Sequence, residues 1–300
     1  MVDHETWSDR QSTTTVTVDG HDLAVAYREA GPDERDGVDE SDGGDESDDP
    51  PVVFLHGIPT WSFLWRDIVP TVAEDRRTIA PDLVGYGNSA MRDGFDRSIR
   101  AQEIVLEELL DELGIDRVAL VAHDIGGGVA LRFAAHNPDV VDQLVLSNAI
   151  CYDSWPVEFV SDLGLPSTAD LDRDDLEDRL EAAFVKGAYG EADPEFVAGM
   201  KAPWLSDEGQ LSLVRDAVAT NTNHTTEIDY GSISAETLLL WGTDDVMQPY
   251  EYAERLADDI PAAELAPLSD AYHWVPEDRS DAYAKRLREF LAGADVDDNQ

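Results

Sequence analysis

Cysteine and long apolar runs are nearly absent from this chain of 300 residues. The single cysteine, Cys151, excludes a disulfide within the chain and suits a reducing compartment. No apolar stretch is long enough to span a bilayer, and no signal-peptide pattern precedes Trp7. We therefore expect a cytoplasmic protein that does not insert into membranes.

Basic residues are also few. The chain has 21 lysines and arginines against 65 aspartates and glutamates, so its formal net charge is −44. Charge of this size repels itself at low ionic strength and is screened in concentrated salt. Because the acids are spread along the whole sequence, we interpret the chain as halophilic; the alternative is binding of cations or basic partners through acidic tracts. The charge argues against nucleic acid and anionic membranes as partners.

The stretch from Val118 to Ala130 predicts a buried strand that turns sharply into a helix. Ala122 and Gly126 lie two residues either side of Asp124, where strand and helix backbones nearly touch. This is the pattern of a nucleophile elbow, G-x-S-x-G, with aspartate in place of serine. A nucleotide-binding turn is the first alternative, but no G-x-G-x-x-G is present. A simple helix N-cap is the second, and it does not need small residues on both sides.

Strand and helix patterns alternate along the chain, which predicts a mostly parallel, doubly wound α/β sheet. The predicted core comprises residues 1–150 and 231–300, with a disordered acidic loop at 31–50. Residues 151–230 are helical, irregular and acidic, and predict an inserted helical cap. The predicted strands are 13–18, 23–27, 51–55, 78–81, 118–121, 143–150, 237–241 and 264–268; the predicted helices include 63–73, 99–113, one ending at 136, and 276–291.

Four loops should meet where parallel strands end, which is where such sheets bind ligands. They hold His56-Gly57-Ile58-Pro59, the Asp124 turn, Trp241-Gly242-Thr243-Asp244-Asp245 and Tyr272-His273-Trp274. With these motifs the chain resembles the α/β-hydrolase superfamily, in which nucleophile, acid and histidine follow in that order. The aspartate, together with Pro59-Thr60-Trp61, is most similar to haloalkane dehalogenases, and epoxide hydrolases come next.

The chemistry of an aspartate nucleophile leads to the same branch. A carboxylate is ionised at neutral pH and needs no base to attack. Attack on a carbonyl would give an unfavourable anhydride, whereas attack on an sp3 carbon gives an ordinary ester. We therefore expect a small apolar organic substrate, a covalent ester on Asp124, and hydrolysis of that ester by water that His273 activates.

The resemblance assigns further roles. Asp245 is the expected acid beside His273, with Asp244 and Asp153 as alternatives, and the N–H groups of Ile125 and Ile58 form the expected oxyanion hole. His56 and His123 are expected to be structural supports. No metal and no cofactor are expected, and no oligomeric state is predicted. The expected substrate contacts are Trp61, Trp155, Tyr152 and Trp274.

Two positions depart from the dehalogenase pattern. Where those enzymes hold the halide with side-chain N–H donors, this chain has Ile125 and Ile58, which cannot donate. An unsolvated halide in an apolar pocket is costly. Epoxide opening instead needs a proton donor, and a non-catalytic ligand-binding relative is the alternative of another class. The candidate donors from the cap are Trp155 and Trp204 for a halide, and Tyr152, Tyr189, Tyr230 and His224 for an epoxide.

The net charge generates a first prediction, on stability. Dialysis from molar to millimolar KCl should lower the melting temperature, because acid–acid repulsion is no longer screened. Thermal unfolding followed by circular dichroism at matched pH measures this. A melting temperature that stays constant across the series would contradict it.

Overall fold

The computed structural model describes residues 2–32 and 49–293. The predicted acidic loop 31–50 therefore lies outside the described residues except at its ends. The α/β class is confirmed: eight strands form a single sheet in the order β1-β2-β4-β3-β5-β6-β7-β8. Strands β2 and β4 and the β1–β2 pair are antiparallel, and the other neighbours are parallel. The strands are β1 Gln11–Val18, β2 His21–Ala30, β3 Val52–Leu55, β4 Thr78–Pro81, β5 Val118–His123, β6 Val141–Ser147, β7 Glu236–Gly242 and β8 Ala263–Leu268.

Thirteen α-helices lie between and around these strands within the described ranges. They are α1 His4–Asp9, α2 Val69–Val72, α3 Ile99–Glu112, α4 Ile125–His136, α5 Glu158–Leu163, α6 Pro166–Ala169, α7 Arg173–Gly187, α8 Pro194–Lys201, α9 Asp207–Val218, α10 Asn223–Thr226, α11 Tyr250–Asp259, α12 Val275–Asp278 and α13 Ser280–Leu291. Short 3₁₀ turns occupy Ser62–Trp65, Ala202–Leu205 and Tyr230–Ser232.

The centre of the sheet is buried on both faces. Every residue of β3, β4 and β5 is buried. The continuous aliphatic runs in the sequence follow from this, because parallel strands covered on both sides have no solvent face on which to place polar residues. β5 lies between β3 and β6, so Asp124 emerges at the middle of the sheet.

The first two strands form the predicted hairpin, with Val18 opposite His21. The turn residues Asp19 and Gly20 have φ of 50° and 78°. Positive φ at both positions is what a two-residue turn of type I′ requires, and Asp-Gly meets it.

Two predicted helices are broken in the structure. Residues 63–73 form the 3₁₀ turn Ser62–Trp65 and then the short α2, because Pro70 lacks an N–H and its ring would clash with the carbonyl four residues earlier. The segment 276–291 divides into α12 and α13 at Arg279, whose φ of −136° is not helical. The strand predicted at 143–150 ends at Ser147, because Asn148 has φ of 44°.

Residues 151–230, which we call the cap segment, contact the loops that follow β3 and β4. The Trp204 indole donates to the Pro59 carbonyl at 2.7 Å, and the Trp61 indole donates to the Gly199 carbonyl at 2.9 Å. A buried ion pair joins Arg97 of the core to Asp216 of α9, with 3.0 Å between Nε and Oδ1. The cap segment is therefore held against the core by both indoles and charge.

The packing beneath the Asp124 turn generates a second prediction. A Cβ at position 126 would lie 2.5 Å from the His56 carbonyl oxygen and 2.6 Å from that of Leu55. Gly126→Ala should therefore lower the free energy of unfolding by about 1–3 kcal/mol, as overpacking does. Gly231→Ala is the control, because its nearest new contact is 3.6 Å away. Urea denaturation in KCl compares them, and equal midpoints would contradict the prediction.

Candidate active site

Asp124 occupies a strained turn between β5 and α4. Its φ of 52° and ψ of −122° lie outside the regions that non-glycine residues favour. Its carbonyl accepts a hydrogen bond from the Gly127 N–H at 2.9 Å, which starts the helix. This conformation places the side chain at the carboxyl edge of the sheet, and the small residues around it allow the close approach.

The Asp124 carboxylate is 5% exposed and has two different neighbours. Oδ1 accepts a hydrogen bond from the Ile58 N–H at 2.8 Å. Oδ2 lies 3.6 Å from Nε2 of His273. A Cβ at Gly57 would come within 2.3 Å of the Asp124 Cβ, so glycine at that position lets the loop after β3 reach the carboxylate.

Ile125 is the first residue of α4. The first four N–H groups of a helix have no partner within the helix, so the Ile125 N–H is a donor at the same turn. The two backbone groups that the sequence assigned to an oxyanion hole thus belong to the loop after β3 and to the start of α4.

His273 lies between two carboxylates. Its Nδ1 is 2.9 Å from Oδ2 of Asp245, and its ring is 1% exposed. Asp245 also accepts from the Met247 N–H at 2.7 Å. Of the alternative acids, Asp244 is exposed and bonded to Thr243, and Asp153 is exposed. The structure therefore brings Asp124, His273 and Asp245 together and leaves the other two carboxylates apart.

The charges of these groups depend on one another. Burial would lower the pKa of His273, but Asp245 and Asp124 outweigh it and raise that pKa to about 10. Burial would raise the pKa of Asp124 and of Asp245, but the bonds and charge of His273 hold both below the ordinary value. At neutral pH the resting site thus holds two carboxylates and an imidazolium.

His56 and His123 are buried and neutral. Burial lowers the pKa of His56 to about 4 and that of His123 to about 3. Nε2 of His56 accepts the Leu83 N–H at 2.9 Å, and Nδ1 of His123 is 3.0 Å from the Ser147 carbonyl oxygen. Both rings therefore orient backbone around the site.

Asn148 is a site residue that the sequence did not single out. Its Nδ2 donates to Oδ2 of Asp245, and its Oδ1 accepts the Gly242 N–H at 3.0 Å. The amide therefore fixes the acid against the turn after β7. In the sequence, Asn148 could have been recognised as a polar residue at the end of a buried strand. The apolar residues that follow it, up to Ile150, instead led to the prediction of a longer strand.

The four expected substrate contacts lie in different surroundings. The indoles of Trp61 and Trp274 donate to the carbonyls of Gly199 and Phe184, and the Trp274 ring lies 4.6 Å from that of His273. The Trp155 indole is buried and has no acceptor among the described residues.

The hydroxyl of Tyr152 donates to Asp259 at 2.7 Å, and its ring lies under Arg255, 3.5 Å from the guanidinium carbon. This side chain is held by α11, and the structure does not bring it to Asp124.

The other cap candidates for a leaving-group donor also have partners. Tyr230 donates to the Thr225 carbonyl at 2.9 Å, and Tyr189 is exposed and bonded to Asp270. The Trp204 indole donates to the Pro59 carbonyl. Nε2 of His224 contacts the Asn221 amide, whereas its buried Nδ1 has no partner among the described residues. Within residues 2–32 and 49–293, no three His, Cys, Asp or Glu side chains form a group that could hold a metal, and no helix has the length and apolar character needed to cross a bilayer.

This chain is similar to several known proteins. A family model described as alpha/beta hydrolase fold matches residues 50–173. Haloalkane dehalogenase 2 of Mycobacterium tuberculosis is 29% identical over 252 residues, covering 80% of this chain and 87% of that protein. A 2-hydroxy-6-oxononadienedioate/2-hydroxy-6-oxononatrienedioate hydrolase of Cupriavidus pinatubonensis is 30% identical over 259 residues, covering 80% and 86%.

Two further likenesses concern the dehalogenase and epoxide hydrolase branches. A soluble epoxide hydrolase of a Corynebacterium species is 40% identical over 113 residues, which is 36% of this chain and 39% of that protein. The crystal structure of a putative ancestral haloalkane dehalogenase superposes with a TM-score of 0.75 at 26% identity, covering 93% of this chain and 98% of the other.

The charges around His273 generate a third prediction, on pH. The pKa of His273 is 6.5 without its partners and about 10 in the fold, so the stabilisation is complete below pH 6.5 and is lost as pH rises through 10. The difference in unfolding free energy between the unmodified chain and His273→Gln should therefore fall across that window. Urea titrations at several pH values measure it, and a constant difference would contradict the assignment.

Proposed function

The chain belongs to the α/β-hydrolase fold family, and we propose that it hydrolyses small apolar substrates at an sp3 carbon through a covalent ester on Asp124. One observation carries the proposal: Oδ1 of Asp124 is bound by the Ile58 N–H at 2.8 Å, while Oδ2 lies 3.6 Å from His273. Within the described residues this is the polar contact of Oδ2, so Oδ2 is the attacking oxygen in the proposed mechanism. The attack displaces the leaving group and forms an ester.

The second step depends on a change in the charge of Asp124. An ester is neutral, so its formation removes one of the two negative charges that raise the pKa of His273. The imidazolium can then lose its proton and become the base that activates water, while Asp245 at 2.9 Å holds the ring. The histidine is thus a base only after alkylation, when a base is needed.

The backbone donors act in this second step. Water adds to the ester carbonyl carbon, and negative charge develops on the carbonyl oxygen. The Ile58 N–H already holds Oδ1, and the Ile125 N–H starts the adjacent helix. Removing one such donor in other enzymes costs about 10²–10³-fold in rate.

Two substrate classes fit this mechanism, and they differ in the leaving group. The dehalogenase relatives favour an alkyl halide, for which the buried, unpartnered Trp155 indole is the candidate donor. An epoxide is the second candidate. It is favoured by Ile125 and Ile58, whose side chains cannot hold a halide, and by the similarity to the Corynebacterium enzyme.

We also infer that the enzyme works in the cytoplasm of an extreme halophile. The formal charge of −44 and the single, buried Cys151 support this setting. The partners that we expect in the reaction are a small apolar organic substrate and water.

Substitution of the histidine generates a fourth prediction. His273→Ala should still be alkylated but should hydrolyse the ester about 10²–10⁴-fold more slowly, because general-base help is lost. Intact-mass measurement after incubation with an alkyl bromide or an epoxide should then show an adduct. Peptide mapping should locate it on Asp124.

Asp124→Asn with His273→Ala is the control and should acquire no adduct. Failure of the single variant to form an adduct with either electrophile would overturn the proposed mechanism. Ligand that stays bound to the unmodified chain without turnover would favour a non-catalytic binding protein instead.

A further inference from the structure

Tyr86 is a buried tyrosine close to the loop after β3 that binds the Asp124 carboxylate. It follows β4, and its side chain is 1% exposed. Its ring meets His56 edge-on at 5.3 Å and Trp204 edge-on at 5.7 Å. His56 precedes the loop whose N–H binds Asp124, and Trp204 bonds the Pro59 carbonyl of the same loop. Tyr86 therefore lies between the loop that contacts the nucleophile and the cap segment.

The hydroxyl of Tyr86 has no partner within the part of the chain that the structure describes, although its ring is enclosed. Burial, then Asp216, then Asp124 raise its pKa well above the ordinary value. The phenol is thus neutral, carries its proton and lies within the field of the nucleophile.

Most of the other phenols and indoles near the cap segment already have acceptors among the described residues. Five indoles donate to protein oxygens, as do the hydroxyls of the cap tyrosines. These side chains are Trp7, Trp61, Trp204, Trp241, Trp274, Tyr152, Tyr189 and Tyr230. Trp65 and Trp155 keep free N–H groups, and Trp65 packs instead against Phe54 and Tyr283.

We propose that the Tyr86 hydroxyl is the proton donor to the leaving oxygen, and that the substrate is an epoxide. This inference rests on the proposed Asp124 ester. A halide leaves as a stable anion and needs only a hydrogen bond, which an indole can provide. An alkoxide is far more basic and needs a proton, which a phenol can give and an indole cannot.

The steps balance in atoms and charge. Oδ2 of Asp124 bonds to an epoxide carbon, the C–O bond breaks, and its electron pair goes to the ring oxygen. That oxygen takes the proton of Tyr86, which leaves a hydroxyalkyl ester and a phenolate. The His273 imidazolium then returns a proton to Tyr86 through water. Neutral His273 next takes one proton from the attacking water as its oxygen bonds to the ester carbonyl carbon. The C–O bond of the ester then breaks, the second proton of that water passes to the departing oxygen, and the diol leaves with the Asp124 carboxylate and the His273 imidazolium restored.

The charges of Asp216 and Asp124 determine when Tyr86 can give up its proton. Both carboxylates disfavour the phenolate before the reaction, so Tyr86 does not lose its proton early. Ester formation removes the charge of Asp124 while the alkoxide develops, and the phenol becomes a stronger acid at that moment. Asp216 is paired with Arg97 at 3.0 Å and lies beside Gly85.

The experiment compares two electrophiles of one skeleton, cyclohexene oxide and bromocyclohexane, in the His273→Ala background where the ester accumulates. Tyr86→Phe should slow adduct formation from the epoxide by about 10²–10⁴-fold, the range of general acid catalysis. Adduct formation from the bromide should fall less than about tenfold. Tyr283→Phe, which removes another buried hydroxyl, is the control and should change neither rate.

Each of the other outcomes would contradict the role of Tyr86, the substrate class or the mechanism. Equal slowing with both electrophiles would assign Tyr86 a packing role, and unchanged epoxide alkylation would remove it from the reaction. A bromide adduct without an epoxide adduct in the parent would overturn the substrate class and leave the proposed ester mechanism standing. No adduct from either electrophile would overturn the mechanism and this inference together. Equal melting temperatures of parent and Tyr86→Phe verify the fold.

Discussion

The structure of the site depends on one buried carboxylate held in a backbone conformation that aspartate rarely adopts. The turn at Asp124 is stabilised by the Gly127 N–H, by the close fit of Gly57 and Gly126, and by the Ile58 N–H on Oδ1. Strain at such a turn persists only where the surroundings over-determine it. Here the loop after β3 and the start of α4 do so, and the side chain is aimed at His273 as a result.

The second constraint is the balance of charge among the buried groups of the site, in a chain with a formal net charge of −44. Three buried groups, two carboxylates and one imidazolium, leave a net negative site at rest. In the proposed mechanism, alkylation of Asp124 changes that balance by one unit and thereby alters the proton affinity of both His273 and Tyr86. On this proposal, bond formation at Asp124 is coupled through electrostatics to proton movement at two other residues.

Much of the fold and of the candidate site could be predicted from the sequence, because the patterns that indicate them are formed by neighbouring residues. The elbow at Asp124, the hairpin turn at Asp19, and the short motifs around Asp245 and His273 are each encoded in a few adjacent residues. Asn148 and Tyr86 were missed because their importance comes from partners far along the chain. The breaks at Pro70 and Arg279 interrupt patterns whose apolar spacing continues across them, so periodicity alone predicted longer helices.

The oxyanion donors that we propose at positions 58 and 125 are main-chain N–H groups. Their chemistry does not depend on which side chain each position carries, so isoleucine contributes to the pocket wall only through its shape and apolarity. A lineage could therefore exchange these two side chains, and with them the preferred substrate, while the hydrolytic half of the cycle is preserved. At these two positions the side chain would influence which substrate binds, and the main-chain N–H would serve hydrolysis of the ester.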